Sequence, residues 1–112
     1  MLIATRILHI ITGASRLPCE VRIHAPEHAG RSWKCRYEID WPDGARSSAG
    51  HGMDAVQALT LTLHRIASDL YASPYHQQGA LMFDTPGSGY GFPAIGNLRH
   101  RLVGQDATDD GK

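Results

Sequence analysis

The stretch CEVRIHAPEHAGRSWKCRYEIDW, residues 19–41, decides the fold. Its first part alternates, with Cys19, Val21 and Ile23 on one face and Glu20, Arg22 and His24 on the other. Its last part does the same, setting Trp33, Cys35, Tyr37, Ile39 and Trp41 against Lys34, Arg36, Glu38 and Asp40. A period of two marks strands with one buried and one wet face, and two such runs around a Gly- and Pro-containing break read as an antiparallel hairpin. Opposite residues of an antiparallel pair share a face, so the apolar sets must meet. Cys19 then stands across from Tyr37, Ile39 or Trp41, never from Cys35. The thiols share the apolar face at least one diagonal step apart, which predicts a reduced pair.

On the C-terminal side, PDGARSSAGHG (residues 42–52) reads as a turn-rich connector. MDAVQALTLTLHRIASDLYASP (residues 53–74) reads as a helix. Asp54 and Gln57 form a capping-box pattern, Val56, Leu59, Leu63, Ile66 and Leu70 recur as one apolar stripe, and Pro74 ends the run. GALMFD (79–84) reads as a short strand, PGSGYGFP (86–93) as an irregular strap, and IGNLRHRLV (95–103) as a last short element. On the N-terminal side, residues 2–12 carry Ile and Leu on both alternating faces and read as a strand covered on both sides. The expected architecture is α+β: an antiparallel sheet of about four strands with one main helix packed on a face, in the order β-β-β-α-β.

Composition narrows the function. With 112 residues, the chain fits one domain, expected over 1–104, followed by a disordered acidic tail, QDATDDGK, over 105–112. Eleven basic side chains balance eleven acidic ones, so clustered affinity for a phosphate backbone, and with it nucleic acid, is not expected. Residues 1–50 hold seven basic and five acidic groups, residues 51–112 four and six. No apolar run is long enough to cross a membrane as a helix. The opening MLIATRILHIIT lacks a basic start and a cleavage pattern, so a cytoplasmic chain is expected.

Each candidate site has a plain structural counterpart. Cys19, His24, His28 and Cys35 could be written as a zinc set, but alternation sends the cysteines and His24 to opposite faces, so no metal or cofactor is expected. His51, His64 and His76 could act as bases with Asp54 or Asp84, although no nucleophile motif accompanies them. The glycines around Tyr90 and Phe92 lack the lysine and following helix of a phosphate loop. Those two rings are either anchors for a partner or seals at the end of the core. Leu61 lies on the polar flank of the helix near Gln57, His64, Arg65 and Ser68, as it would if a partner covered that side. The outer hairpin face with Arg22, Lys34 and Arg36 reads as solvated.

Gly52, Asp54, Gln57, Ala58, Leu59 and Gly91-Phe92-Pro93 resemble a family of small uncharacterised bacterial domains over about residues 5–95, with a Gly-x-Asp helix start and a Gly-Phe-Pro close. That likeness implies no chemistry. Tyr37-Glu38-Ile39-Asp40-Trp41-Pro42-Asp43, then Gly52 and the helix, resemble in plan the HicB-type antitoxins. The chain departs from that plan in a longer 43–52 connector and in having no appended DNA-binding domain. The expectation is a non-catalytic bacterial protein-binding domain, immunity- or antitoxin-like, that occludes a toxin or effector through Tyr90, Phe92, Leu61, His64 and Arg65. The alternatives are a small His/Asp hydrolase or metal-binding enzyme, and a homodimeric module paired through its helix.

Overall fold

The computed structural model describes residues 1–84 and 89–93. Its elements in chain order are β1 (Leu2–Thr12), β2 (Ser15–His24), β3 (Glu27–Ala29), β4 (Ser32–Trp41), β5 (Gly44–Gly52), α1 (Ala55–Ala72), α2 (Pro74–Gln77) and β6 (Leu81–Met82). All strand pairs are antiparallel. β2 lies between β1 and β4, β3 and β5 also pair with β4, and β6 flanks β1. The α+β class and the antiparallel sheet under one main helix are as expected. The strand count is not: the sheet has six strands rather than about four, and five of them precede the helix. The expected tail over 105–112 and the element over 95–103 lie outside the described residues.

The two alternating runs pair with Val21 opposite Ile39 and Ile23 opposite Tyr37, one of the registers alternation allows. Cys19, Val21, Cys35, Tyr37 and Ile39 are buried, and both cysteines are free. Burial, with a smaller contribution from Asp40, pushes the Cys19 thiol up to about 12, so it stays protonated at neutral pH. Cys35 is raised by burial too, and its thiol donates to the His24 carbonyl at 3.2 Å.

The main correction concerns residues 44–52. They are no connector but strand β5, paired along β4 from Trp41–Gly44 to Trp33–Gly52. The inward side of β5 explains its unstrandlike composition. A Cβ on Gly50 would sit 2.5 Å from Thr62 Oγ1 and 2.6 Å from the Thr62 amide nitrogen, and one on Gly52 2.5 Å from the Ala58 nitrogen. The helix backbone therefore rests directly on β5, and only glycine admits it there.

That contact also turns the helix. Asp54 caps it as expected, its carboxylate accepting from the Gln57 amide at 2.8 Å, while Gln57 Oε1 accepts from the Met53 amide. The buried stripe, however, is Ala58, Thr62, Ile66, Ala67, Leu70 and Tyr71. Val56 is 73% exposed, and Leu59 and Leu63 are only half-buried. Small side chains lie where helix and strand meet, so the stripe centres on Ala58 and Thr62 rather than on the largest apolar groups. The buried Thr62 hydroxyl accepts from the Gly50 amide at 2.9 Å and donates to the Cys35 carbonyl at 2.7 Å. It stands as a bridge within the β4–β5 ladder and ties the helix to both strands.

Strand β1 is covered on one side only. Leu8 and Ile10 are buried, but Ile3 and Ile7 on the outer face are 46% and 47% exposed. That outer face also carries Arg22, whose guanidinium donates to Glu20 and Glu38 at 3.0 Å each and to both oxygens of Asp40 at 2.6 and 2.8 Å. His24 Nε2 joins Glu38 at 3.0 Å, and Glu27 lies 3.6 Å from Lys34 and 3.7 Å from Arg36. The side expected to be merely solvated is thus neutralised by its own carboxylates.

Candidate functional site

Strand β5 leads into the helix, and the spacing between the two sets the site. At Gly52 and Gly50 the helix lies in contact with the strand. Towards the hairpin turn the inward positions become Ser48 and Arg46, opposite Tyr37 and Ile39, and the contact opens into a cleft. This cleft, about 380 Å³ in volume, is lined by Tyr37, Trp41, Arg46, Ser48, Arg65, Asp69 and Tyr75 among others. A second cleft of about 380 Å³ continues along the strand between Ala49, Gly50 and His51 and the helix residues Leu61, His64, Arg65 and Ser68. Arg65 lines both. Together they make a trough following β5 beneath the flank of α1.

The end towards the hairpin turn is a polar cluster on an aromatic wall. Trp41 and Tyr75 stack with centroids 5.3 Å apart and planes 17° from parallel. The Tyr37 phenol donates to Asp69, and the Arg65 guanidinium donates to Ser48 Oγ at 2.8 Å. Burial and the neighbouring Asp69 raise the Tyr37 phenol above its ordinary range, against the pull of Arg65. The Tyr75 hydroxyl lies 3.4 Å from Asp43. Both carboxylates of the cleft are thus turned to phenols. Among the described residues, neither Arg46 nor Arg65 lies within ion-pair distance of any carboxylate.

The glycine end is bounded by an open strand edge. The two-residue turn of the β4–β5 hairpin fixes which amides face β4, and the Gly50 amide, bonded into the Thr62 bridge, shows their direction. Ala45, Ser47, Ala49 and His51 therefore turn their backbone groups away from β4. Among the described residues, β5 pairs with β4 alone.

The residues singled out in the sequence separate into two groups. Leu61, His64 and Arg65 come together in the trough, with His51 across from them. The buried His64 Nδ1 has no hydrogen-bond partner among the described residues. Tyr90 and Phe92 are 4% and 6% exposed and belong to the core. Arg6 donates to the Tyr90 and Gly91 carbonyls at 3.0 Å each, and its guanidinium lies over Phe92, 4.8 Å from the ring centroid. Gly91 has φ +78°, a left-handed conformation that favours glycine, and a Cβ there would also fall 2.6 Å from the end of the Arg6 guanidinium. The two rings seal the core.

The histidines and aspartates of the enzyme alternative lie apart. His76 Nδ1 meets the Tyr90 hydroxyl at 2.6 Å, Asp54 caps the helix, and Asp84 is exposed. His51 and His64 share the trough, but no carboxylate lines that part of it among the described residues. The cysteines face the core, His24 the outer face, and the His28 ring lies against Trp33 with centroids 3.9 Å apart and planes tilted by 40°. Among the described residues no three His, Cys, Asp or Glu side chains gather as metal ligands.

Sequence reasoning missed Arg46, Ser48, Trp41 and Tyr75 as site residues. Arg46 and Ser48 were hidden by the connector reading, while Tyr75 lies beyond the helix that Pro74 ends. Arg46 alone carried a signal, as a charged residue at an inward position once residues 44–52 are paired with β4.

A family model described as "Domain of unknown function (DUF6968)" matches residues 4–94. The chain belongs to that family. No curated protein and no solved structure matches it. The matched span of the DUF6968 domain contains every residue of the trough.

Proposed function

We propose that the domain is a non-catalytic protein-binding module that receives an extended segment of its partner along the open edge of β5. The observation carrying this reading is the juxtaposition of outward-turned backbone groups at Ala45, Ser47, Ala49 and His51 with the helix wall of Leu61, His64 and Ser68. An added strand satisfies its backbone on the edge and places alternate side chains against the helix, the arrangement by which sheet edges capture peptides. Leu61, 39% exposed, is the apolar anchor point of that wall. The partner class expected from the sequence, a toxin or effector neutralised by occlusion, suits such an edge because occlusion requires contact area and no chemistry.

The test is a displayed library of random peptides selected on the whole protein and counter-selected on Ala49→Pro. Proline removes the outward N–H at the edge and leaves the β4 ladder intact. Selected peptides should lose binding to the variant and protect the Ser47, Ala49 and His51 amides from exchange. Peptides that bind both forms equally, or an empty selection, would sink the idea.

A second copy of the chain is the other occupant with a specific observation behind it. β5 spans Gly44–Gly52, so a two-fold axis at Ser48 pairs Arg46 with Gly50 and Ser47 with Ala49 of the other copy, opposing no like charges. It would bring the two helices alongside each other. Sedimentation equilibrium separates this form from the first: a monomer at high concentration excludes it, and a dimer lost in Ala49→Pro supports it.

A further inference from the structure

We propose that the hairpin-turn end of the trough, walled by Trp41 and Tyr75, is a binding site for a small aromatic monocarboxylate. This stands apart from strand addition, since it uses side chains of the cleft and not the backbone of the β5 edge.

Three observations carry it. The first is room: about 380 Å³ lies in the range of small-molecule clefts, roughly 300–1,000 Å³. The second is charge. Asp43 and Asp69 are engaged by Tyr75 and Tyr37, whereas Arg46 and Arg65 line the same cleft with no carboxylate within ion-pair distance among the described residues. Everywhere else on the described sheet that an arginine lies among acids it is paired: Arg22 holds three carboxylates and Arg36 lies 3.7 Å from Glu27. A planar guanidinium without a carboxylate is matched in shape and charge by a ligand carboxylate, which it can grip through two N–H groups. The third is the wall. Trp41 and Tyr75 are half-buried and stack offset, with centroids 5.3 Å apart, so the ring surface they do not cover on each other lines the cleft for a flat, apolar group.

The same census limits the ligand's charge. Two carboxylates remain in the cleft beside the two guanidiniums, so a doubly charged phosphate meets repulsion that a single carboxylate avoids. The inward Ser48 hydroxyl, which accepts from Arg65, keeps its own proton for a hydrogen bond to the charged group.

Phenylacetate is the probe, followed through the Trp41 indole N–H and the Ser47 and Ser48 amides by NMR on the full chain. It should cause saturable shifts at millimolar concentration. Phenylacetamide, equal in shape but uncharged, should bind about tenfold more weakly. Arg46→Ala and Arg65→Ala should each weaken phenylacetate about tenfold and leave phenylacetamide unchanged. Both arginines are exposed, so the variants keep the fold, and Arg46→Lys gives a further check in which charge remains without the fork. The proposal is overturned by the absence of saturable shifts, by equal binding of the amide, by persistence of binding in both alanine variants, or by phenyl phosphate binding more tightly than phenylacetate.

Discussion

The two faces of this sheet treat arginine in opposite ways. On the outer face Arg22 is surrounded by Glu20, Glu38 and Asp40, all within 3.0 Å, and its charge is spent inside the domain. On the helix side, Arg46 and Arg65 line a cleft whose carboxylates are turned to phenols. The first arrangement is closed and serves the fold. The second is open and available to something else. The difference follows from packing: the outer face is a regular array of cross-strand neighbours, whereas the helix rests on β5 at its glycine end and leaves a gap at its Arg46 end.

The largest effect is expected where helix and strand touch. Gly50→Ala drives a methyl group into the Thr62 backbone and hydroxyl, at 2.6 and 2.5 Å, and should destabilise the domain by about 3 kcal/mol. Ala49→Val, one residue away but facing outward opposite Arg36, should change stability by less than about 0.5 kcal/mol. Denaturant midpoints measure both. Equal effects would show that the helix does not sit on β5 as described.

Thr62→Val comes next. The valine fills the same space but leaves the Gly50 amide and the Cys35 carbonyl without their shared hydroxyl, both deep in the core. A loss of about 2 kcal/mol is expected in the same assay. The Gly50 amide should also exchange faster with solvent than in the parent protein, and an unchanged rate would show that the Thr62 hydroxyl does not bridge the two strands.

How much of this was legible in the sequence depends on what each residue was answering to. β2 and β4 could be read because each has one wet and one dry face, and alternation records that directly. The cap at Asp54 could be read because it is a contact between near neighbours. β5 could not. Its Gly-Ala-Arg-Ser-Ser-Ala-Gly-His-Gly composition satisfies the helix lying on it, and a local reading takes small and glycine residues for turn. The helix stripe was misplaced for the same reason, since Ala58 and Thr62 matter by fitting glycines elsewhere in the chain. The trough inherits both gaps: Leu61, His64 and Arg65 were visible as an odd flank of one helix, but Arg46, Trp41 and Tyr75 join them only in three dimensions.

On the outer face a smaller effect is expected, with a distinctive pH signature. Hydrogen bonds from His24 first and Arg22 second hold the Glu38 carboxyl below its usual range, and Arg22 does the same for Asp40. A carboxylate whose folded pKa is depressed adds stability above its unfolded pKa and loses it as pH falls through the folded value. Arg22→Met should therefore cost about 1 kcal/mol at neutral pH, with solvent screening keeping the figure low. Below about pH 4.5, the ordinary value of a glutamate carboxyl, stability of the parent should fall more steeply than that of the variant. Parallel pH profiles would mean that the network contributes nothing measurable.

The smallest effect on stability belongs to Arg46, and it sharpens the contrast most. An exposed arginine in no ion pair among the described residues has little to lose on truncation, so Arg46→Ala should shift the denaturant midpoint by less than about 0.5 kcal/mol and leave the acid limb of the profile unchanged. A loss comparable to that of Arg22→Met would show that Arg46 is tied into the fold after all, and the cleft would then resemble the outer face. If the fold is indifferent to this side chain, a charged group sits at an inward strand position where stability does not require it. Strand positions facing a helix ordinarily carry apolar groups, because burial there is what stabilises the sheet. Arginine at such a position, sharing its cleft with a stacked aromatic wall and a second arginine that has no carboxylate within ion-pair distance among the described residues, has its physical reason in what the cleft receives.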